Sequence, residues 1–64
     1  MPSGLARPEH ALVWEALPVR AGGTVDSVAR VSGLAASEVR AALGALELAG
    51  HVRREGDRYR RAGR

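Results

Sequence analysis

The chain has no cysteine, no lysine and no phenylalanine, and its only aromatic residues are Trp14 and Tyr59. Without cysteine it has neither a disulfide nor a thiolate metal site. Small secreted domains usually depend on such staples, so the expected location is the cytoplasm. No apolar run approaches the ~20 residues that a membrane span requires. The opening MPSGLARPEH has no apolar stretch long enough for a signal peptide. At 64 residues the chain is one small domain. A domain of this size buries only about 60% of its unfolded surface, which leaves no room for a deep substrate cleft. The two histidines, His10 and His51, are far apart in the chain, and Ser3, Ser27, Ser32 and Ser37 have no credible base partner. No catalytic residue, metal ligand set or cofactor is therefore expected, and the chain reads as a non-enzyme. Residues 1–6 and 63–64 read as disordered tails around a domain at 7–62.

What the chain does have is arginine, placed unevenly. Residues 1–52 hold four Arg against five acids, whereas residues 53–64 hold six Arg against Glu55 and Asp57. The excess positive charge therefore lies at the end of the chain. Arginine suits bidentate contacts to phosphate. The many Ala and Gly also point to GC-rich codon usage as the reason for Arg over Lys.

The pattern predicts three helices and a hairpin. The first helix starts near Pro8, which is tolerated at the first helical position. Its inner face is His10, Val13, Trp14 and Leu17, and Pro18 ends it. Arg20 to Gly23 reads as a loop with little to pack, and Thr24-Val25 as a very short strand. Asp26 is the expected N-cap of a second helix running to about Val31, with Val25, Val28, Ala29 and Ser32 inward and Val31 beside them. Gly33 is expected in a left-handed conformation and Leu34 as a buried turn residue. The third helix spans about Ala36 to Ala49, with Val39, Ala42, Leu43, Leu46 and Ala49 inward. Its N-cap, Ala35 or Ala36, offers no side-chain acceptor, while Gly50 suits the position just past its end.

Helix, glycine turn and helix make a helix-turn-helix, and an arginine-rich hairpin follows at once. Gly56-Asp57 suits a type II′ turn between His51–Glu55 and Arg58–Ala62. This register pairs Glu55 with Arg58, Arg54 with Tyr59, Arg53 with Arg60 and Val52 with Arg61. Val52, Arg54, Tyr59 and Arg61 share one face, anchored to the core through Val52 and Tyr59. The other face is almost entirely charged and is expected to meet solvent. The fold class is a winged helix-turn-helix: three helices with a two- or three-stranded antiparallel wing.

Several segments resemble the C-terminal winged-helix domain of the DNA-processing protein A family (DprA, also called Smf). They are Thr24-Val25-Asp26, Ser32-Gly33-Leu34, Glu38-Val39, Ala41-Ala42-Leu43 and Leu46-Glu47-Leu48-Ala49-Gly50. The closing Val52-Arg53-Arg54, Gly56 and Arg58-Tyr59-Arg60 look like the wing of that domain. The resemblance runs from about Val13 to Arg61, with Trp14 standing where an aliphatic residue is more usual. It implies an accessory module of a larger protein. In that family a separate Rossmann-like domain binds single-stranded DNA, dimerises and helps load the recombinase RecA during natural transformation.

For this chain the leading expectation is weak, non-specific contact to DNA through Arg53, Arg54, Arg58, Arg60 and Arg61, with Arg40 assisting. Sequence reading by the third helix is disfavoured, because Arg40 is the only outward residue suited to base edges, and Glu38 and Glu47 repel phosphate. The alternative is a protein-interaction surface at Ala41, Gly44, Ala45 and Leu48, for RecA, a second copy or another DprA domain. A free-standing transcription regulator is a further alternative, disfavoured by the absence of a dimerisation helix. Tyr59 is expected as a core anchor rather than a base-stacking platform. The isolated domain is expected to be monomeric.

Overall fold

The computed structural model describes residues 7–62; the two tails expected from the sequence lie outside them. The elements are α1 (Pro8–Ala16), α2 (Val25–Ser32), α3 (Ala36–Leu48), β1 (Val52–Glu55) and β2 (Arg58–Arg61). Each helix packs on the other two, and β1 packs on α3. The result is a three-helix winged helix with a two-stranded antiparallel wing.

Local chemistry accounts for the helix ends. Pro8 opens α1, and Leu17 leaves it in extended geometry (φ −77°, ψ 124°), as the residue before a proline must. The α2 cap differs from expectation. Thr24, not Asp26, is the N-cap: its Oγ1 accepts from the Ser27 N–H at 3.1 Å, and Ser27 Oγ accepts from the Thr24 N–H at 3.0 Å. This reciprocal pair satisfies two helix-start donors at once. It leaves Asp26 in the first turn, where its charge complements the helix dipole. Val25 is accordingly helical rather than a strand residue, and α2 extends through Ser32 to a left-handed Gly33.

At the start of α3, Ala35 is the N-cap and has no side-chain acceptor, so only Glu38 contributes, accepting from the Ala35 N–H at 2.9 Å. The far end closes as a Schellman turn. The Gly50 N–H donates to the Glu47 carbonyl at 3.0 Å and the His51 N–H to the Leu46 carbonyl at 2.9 Å. Gly50 supplies the required positive φ of 84°. This turn reverses the chain and sends it directly into β1.

The core consists of Val13, Ala16 and Leu17 from the first helix and its exit, Val28 from α2, Val39, Ala42, Leu43 and Leu46 from α3, and Val52 from β1. Trp14, Val25, Ala29, Leu34 and Tyr59 pack around it, half-buried. Two apolar residues at or beside the expected inward faces meet water. Val31 is 71% exposed because it falls on the outer side of α2. Ala49 is exposed because α3 ends at Leu48 and the Schellman turn rotates the chain away from the core.

The hairpin has the register the sequence predicts: Val52 with Arg61, Arg53 with Arg60, Arg54 with Tyr59 and Glu55 with Arg58. Gly56 has φ 65° while Asp57 does not enter positive φ. A type I′ turn needs both, so the turn is type II′. The loop after α1 departs from expectation. Gly22 and Gly23 are buried, and Gly23 pairs with Tyr59 through two backbone hydrogen bonds of 2.9 and 2.8 Å. The missing side chains are the reason: a Cβ on Gly22 would lie 2.5 Å from the Tyr59 carbonyl oxygen. The loop is thus a one-residue third strand that clamps the wing.

Candidate nucleic-acid interface

The six arginines expected to meet DNA fall into distinct environments. Arg40 projects from α3 and Arg54 from β1, and both line one open groove of about 380 Å³. Thr24, Val25 and Asp26 at the start of α2 form one wall, and Gly56, Asp57 and Tyr59 of the wing form another. Among the described residues, neither Arg40 nor Arg54 has a side-chain hydrogen bond or ion pair. The hairpin register explains why Arg54 points here. It shares the inner face with Val52 and Tyr59, but it sits past the edge of the core, so that face opens onto the groove.

The remaining four arginines have partners within the fold. Arg53 Nε donates to Glu55 Oε2 at 3.2 Å, and Arg60 Nη1 donates to Glu55 Oε1 at 3.3 Å. These bonds, Arg60's foremost, hold the Glu55 carboxyl below its ordinary value. Arg60 also donates through Nη2 to the Arg20 carbonyl at 2.7 Å. Arg58 Nη1 reaches the Ala21 and Gly22 carbonyls at 3.5 Å. The expectation that this wing face simply meets solvent is therefore corrected at Arg58 and Arg60. The loop carbonyls left unpaired by the tight Gly-Gly approach give both guanidinium groups something to bind.

Arg61 is held most closely. Its Nη2 donates to the Trp14 carbonyl at 3.0 Å, and its guanidinium carbon lies 4.6 Å from the Trp14 ring centre. Cation–π contacts of this kind stabilise by about 0.5–2 kcal/mol, depending on desolvation. The His51 ring meets Trp14 edge-on, with centroids 6.4 Å apart. Trp14 thus provides the seat on which the end of the wing rests. Neither this clasp nor the Gly23–Tyr59 pairing was legible from periodicity, since both join residues more than thirty positions apart. The Gly-Gly pair was the one available signal.

The alternative surface lies on a different side of α3. Ser37, Arg40, Gly44 and Glu47 form one outward stripe, while Glu38, Ala41, Ala45 and Leu48 form the next. Ala41 and Ala45 line a second groove of about 400 Å³ with Ala42, Glu38 and, from the start of α1, Arg7, Glu9 and His10. Leu48 is 92% exposed, and a Cβ on Gly44 would meet nothing within 4 Å.

The sequence matches the DprA winged helix domain family over residues 3–58. The chain belongs to this family. Neither the curated proteins nor the solved structures compared with it include a match. The fold of this DprA winged helix domain follows from its own residues: the Leu46–Gly50 segment, closed by the His51 N–H, builds the Schellman turn, and the Arg58–Arg60 segment builds most of the second wing strand. Among the described residues, no helix is long and apolar enough to cross a membrane.

Proposed function

We propose that this DprA winged helix domain is an accessory, non-catalytic module of a cytoplasmic DNA-processing and recombination-mediating protein of natural transformation, and that it contacts DNA weakly through its arginine-rich wing. The observation that carries the reading is the groove in which Arg40 of α3 and Arg54 of β1 come together without internal partners. Two guanidinium groups from separate elements suit the phosphate backbone, which binds without regard to sequence and loses affinity steeply with salt. The rest of the outward α3 stripe, Ser37, Gly44 and Glu47, lacks the side chains that read base edges. Titration of the ¹⁵N-labelled chain with single- and double-stranded DNA at two salt concentrations tests this. The expected result is salt-sensitive shifts at Arg40 and at Arg53–Arg54. Shifts that ignore salt, or that bypass the wing, overturn it.

A second reading is favoured by one observation, the 92% exposure of Leu48 beside Ala41 and Ala45. In it, the α3 surface of Ala41, Gly44, Ala45 and Leu48 receives a protein, either a RecA-type recombinase or another part of a DprA-like protein. Leu48→Glu abolishes such binding while leaving DNA-induced shifts intact.

A further inference from the structure

The arginines of α3 and the wing do two separate jobs. Resting on the DNA-contact reading above, we infer that phosphate is bound by Arg40 and Arg54 alone, whereas Arg60 and Arg61 are positioning residues that fix the wing so the two contact groups stay in register.

The argument starts from what each guanidinium would lose. Arg61 lies over Trp14 and donates to its carbonyl. Turning it outward breaks both interactions and strips the end of β2 from α1. Arg60 bridges the Glu55 carboxylate and the Arg20 carbonyl. Glu55 offsets part of its charge, which weakens its attraction for phosphate. Arg53 shares the same carboxylate. Arg58 lies across the loop carbonyls of Ala21 and Gly22. Arg53, Arg58 and Arg60 also occupy the strand face opposite to Arg54.

Arg40 and Arg54 are on different elements, so their separation depends on where the wing sits. The wing's seat is the Gly23–Tyr59 pairing together with the Arg60 and Arg61 bonds. The positioning residues therefore act through the geometry of the groove. Asp26 and Asp57 also line the groove, yet neither comes within ion-pairing distance of an arginine among the described residues. Their carboxylates offset the two guanidinium charges in the groove, so contact with phosphate there is weak.

The number of phosphates contacted can be counted from salt dependence. Two contacts on a duplex give a log–log slope of about −1.8, or roughly a 12-fold loss of affinity between 50 and 200 mM salt. Six contacts give about −5.4, or roughly an 1,800-fold loss. Fluorescence anisotropy with a labelled duplex, paired with thermal melting of the free chain, separates the two groups. Arg40→Gln and Arg54→Gln are each expected to reduce the slope magnitude by about 0.9 and to leave the melting temperature unchanged. Arg61→Gln is expected to lower the melting temperature and leave the slope of the folded fraction unchanged. Arg61→Lys keeps the charge but not the planar stacking, and is expected to melt like Arg61→Gln. Should Arg61→Gln not fold, Arg60→Gln gives the same test with only two exposed bonds removed. A wild-type slope near −5.4, or an Arg60→Gln variant that loses slope without losing stability, overturns the division while leaving the DNA-contact reading in place. No binding at 50 mM salt overturns both.

Discussion

Gly22→Ala and Gly44→Ala make the same chemical change with opposite expected signs. Gly22 has φ 71°, a conformation that costs an L-residue about 1–2 kcal/mol. Its new Cβ would also lie 2.5 Å from the Tyr59 carbonyl oxygen and 2.7 Å from Arg60 Cγ. The first neighbour is backbone and cannot swing aside, so the wing must move. Moving it breaks the two Gly23–Tyr59 hydrogen bonds, each contributing about 0.5–1.5 kcal/mol. The total is about 2–5 kcal/mol, comparable with the ~3–5 kcal/mol that a core of this size supplies. Gly44 lies inside α3 with open space where its Cβ would go. There alanine adds about 0.5–1 kcal/mol of helix stability. For a domain this small, 1 kcal/mol moves the melting temperature by about 4–8 °C. Far-ultraviolet circular dichroism should therefore show Gly22→Ala melting at least ~8 °C lower, and Gly44→Ala melting a few degrees higher. Hydrogen exchange at the Gly23 and Tyr59 amides should accelerate in the first variant only. A Gly22→Ala chain that melts within 2 °C of wild type with both amides still protected would refute the account of the loop as a clamp.

Other perturbations probe other parts of the structure. Thr24→Ala removes the acceptor for the Ser27 N–H and should cost about 1 kcal/mol, whereas Asp26→Asn, which leaves that cap intact, should cost less; urea titration ranks the two. Leu43→Ala, at a fully buried position, should cost about 2–5 kcal/mol and leave most of the chain unfolded at 37 °C, visible as collapsed NMR dispersion. Glu55 has a depressed pKa in the folded chain. Its stabilisation is therefore present above the carboxylate range and is lost as pH falls through the folded value. Glu55→Gln should flatten that part of the stability–pH curve at low salt, and added salt should flatten the wild-type curve as well, because the group is exposed.

The elements and the wing register were legible because they depend on short-range chemistry. Pro8, Pro18, Gly33 and Gly50 mark helix ends, and Gly56-Asp57 sets a turn whose length fixes every cross-strand pair. The errors came where two local signals competed. Asp26 and Thr24 both cap well in isolation, and Ser27, placed three residues after Thr24, decided between them by closing the reciprocal bond. Ala49 continued the apolar spacing of α3, but the Schellman bonds ended the helix one residue earlier. In the candidate site, Arg40 could be named as basic and outward, and Arg54 as a basic residue on the core-anchored face of the wing. Their meeting in one groove depends on how the hairpin leans on α2 and α3, and no window of the sequence contains that.

Counting arginines overstates what a wing of this kind offers a phosphate backbone. Residues 53–64 carry six Arg against two acids, which suggests a strongly attractive arm. Yet Arg53 and Arg60 share Glu55, Arg60 also closes on Arg20, and Arg61 closes on Trp14. These interactions stabilise a domain whose core, nine buried side chains among the described residues, is small. With neither lysine nor disulfide available, guanidinium groups take over part of the stapling, since their planar forks can donate to backbone carbonyls and stack on an indole at once. The same substitution of charge by structure explains why the wing stays close to the body of the domain. A solvated arginine hairpin would be free to swing, whereas here three backbone carbonyls of the 20–22 loop and the Trp14 carbonyl hold it down. Affinity for nucleic acid should therefore track the two arginines of the groove, while stability should track those that pair within the fold.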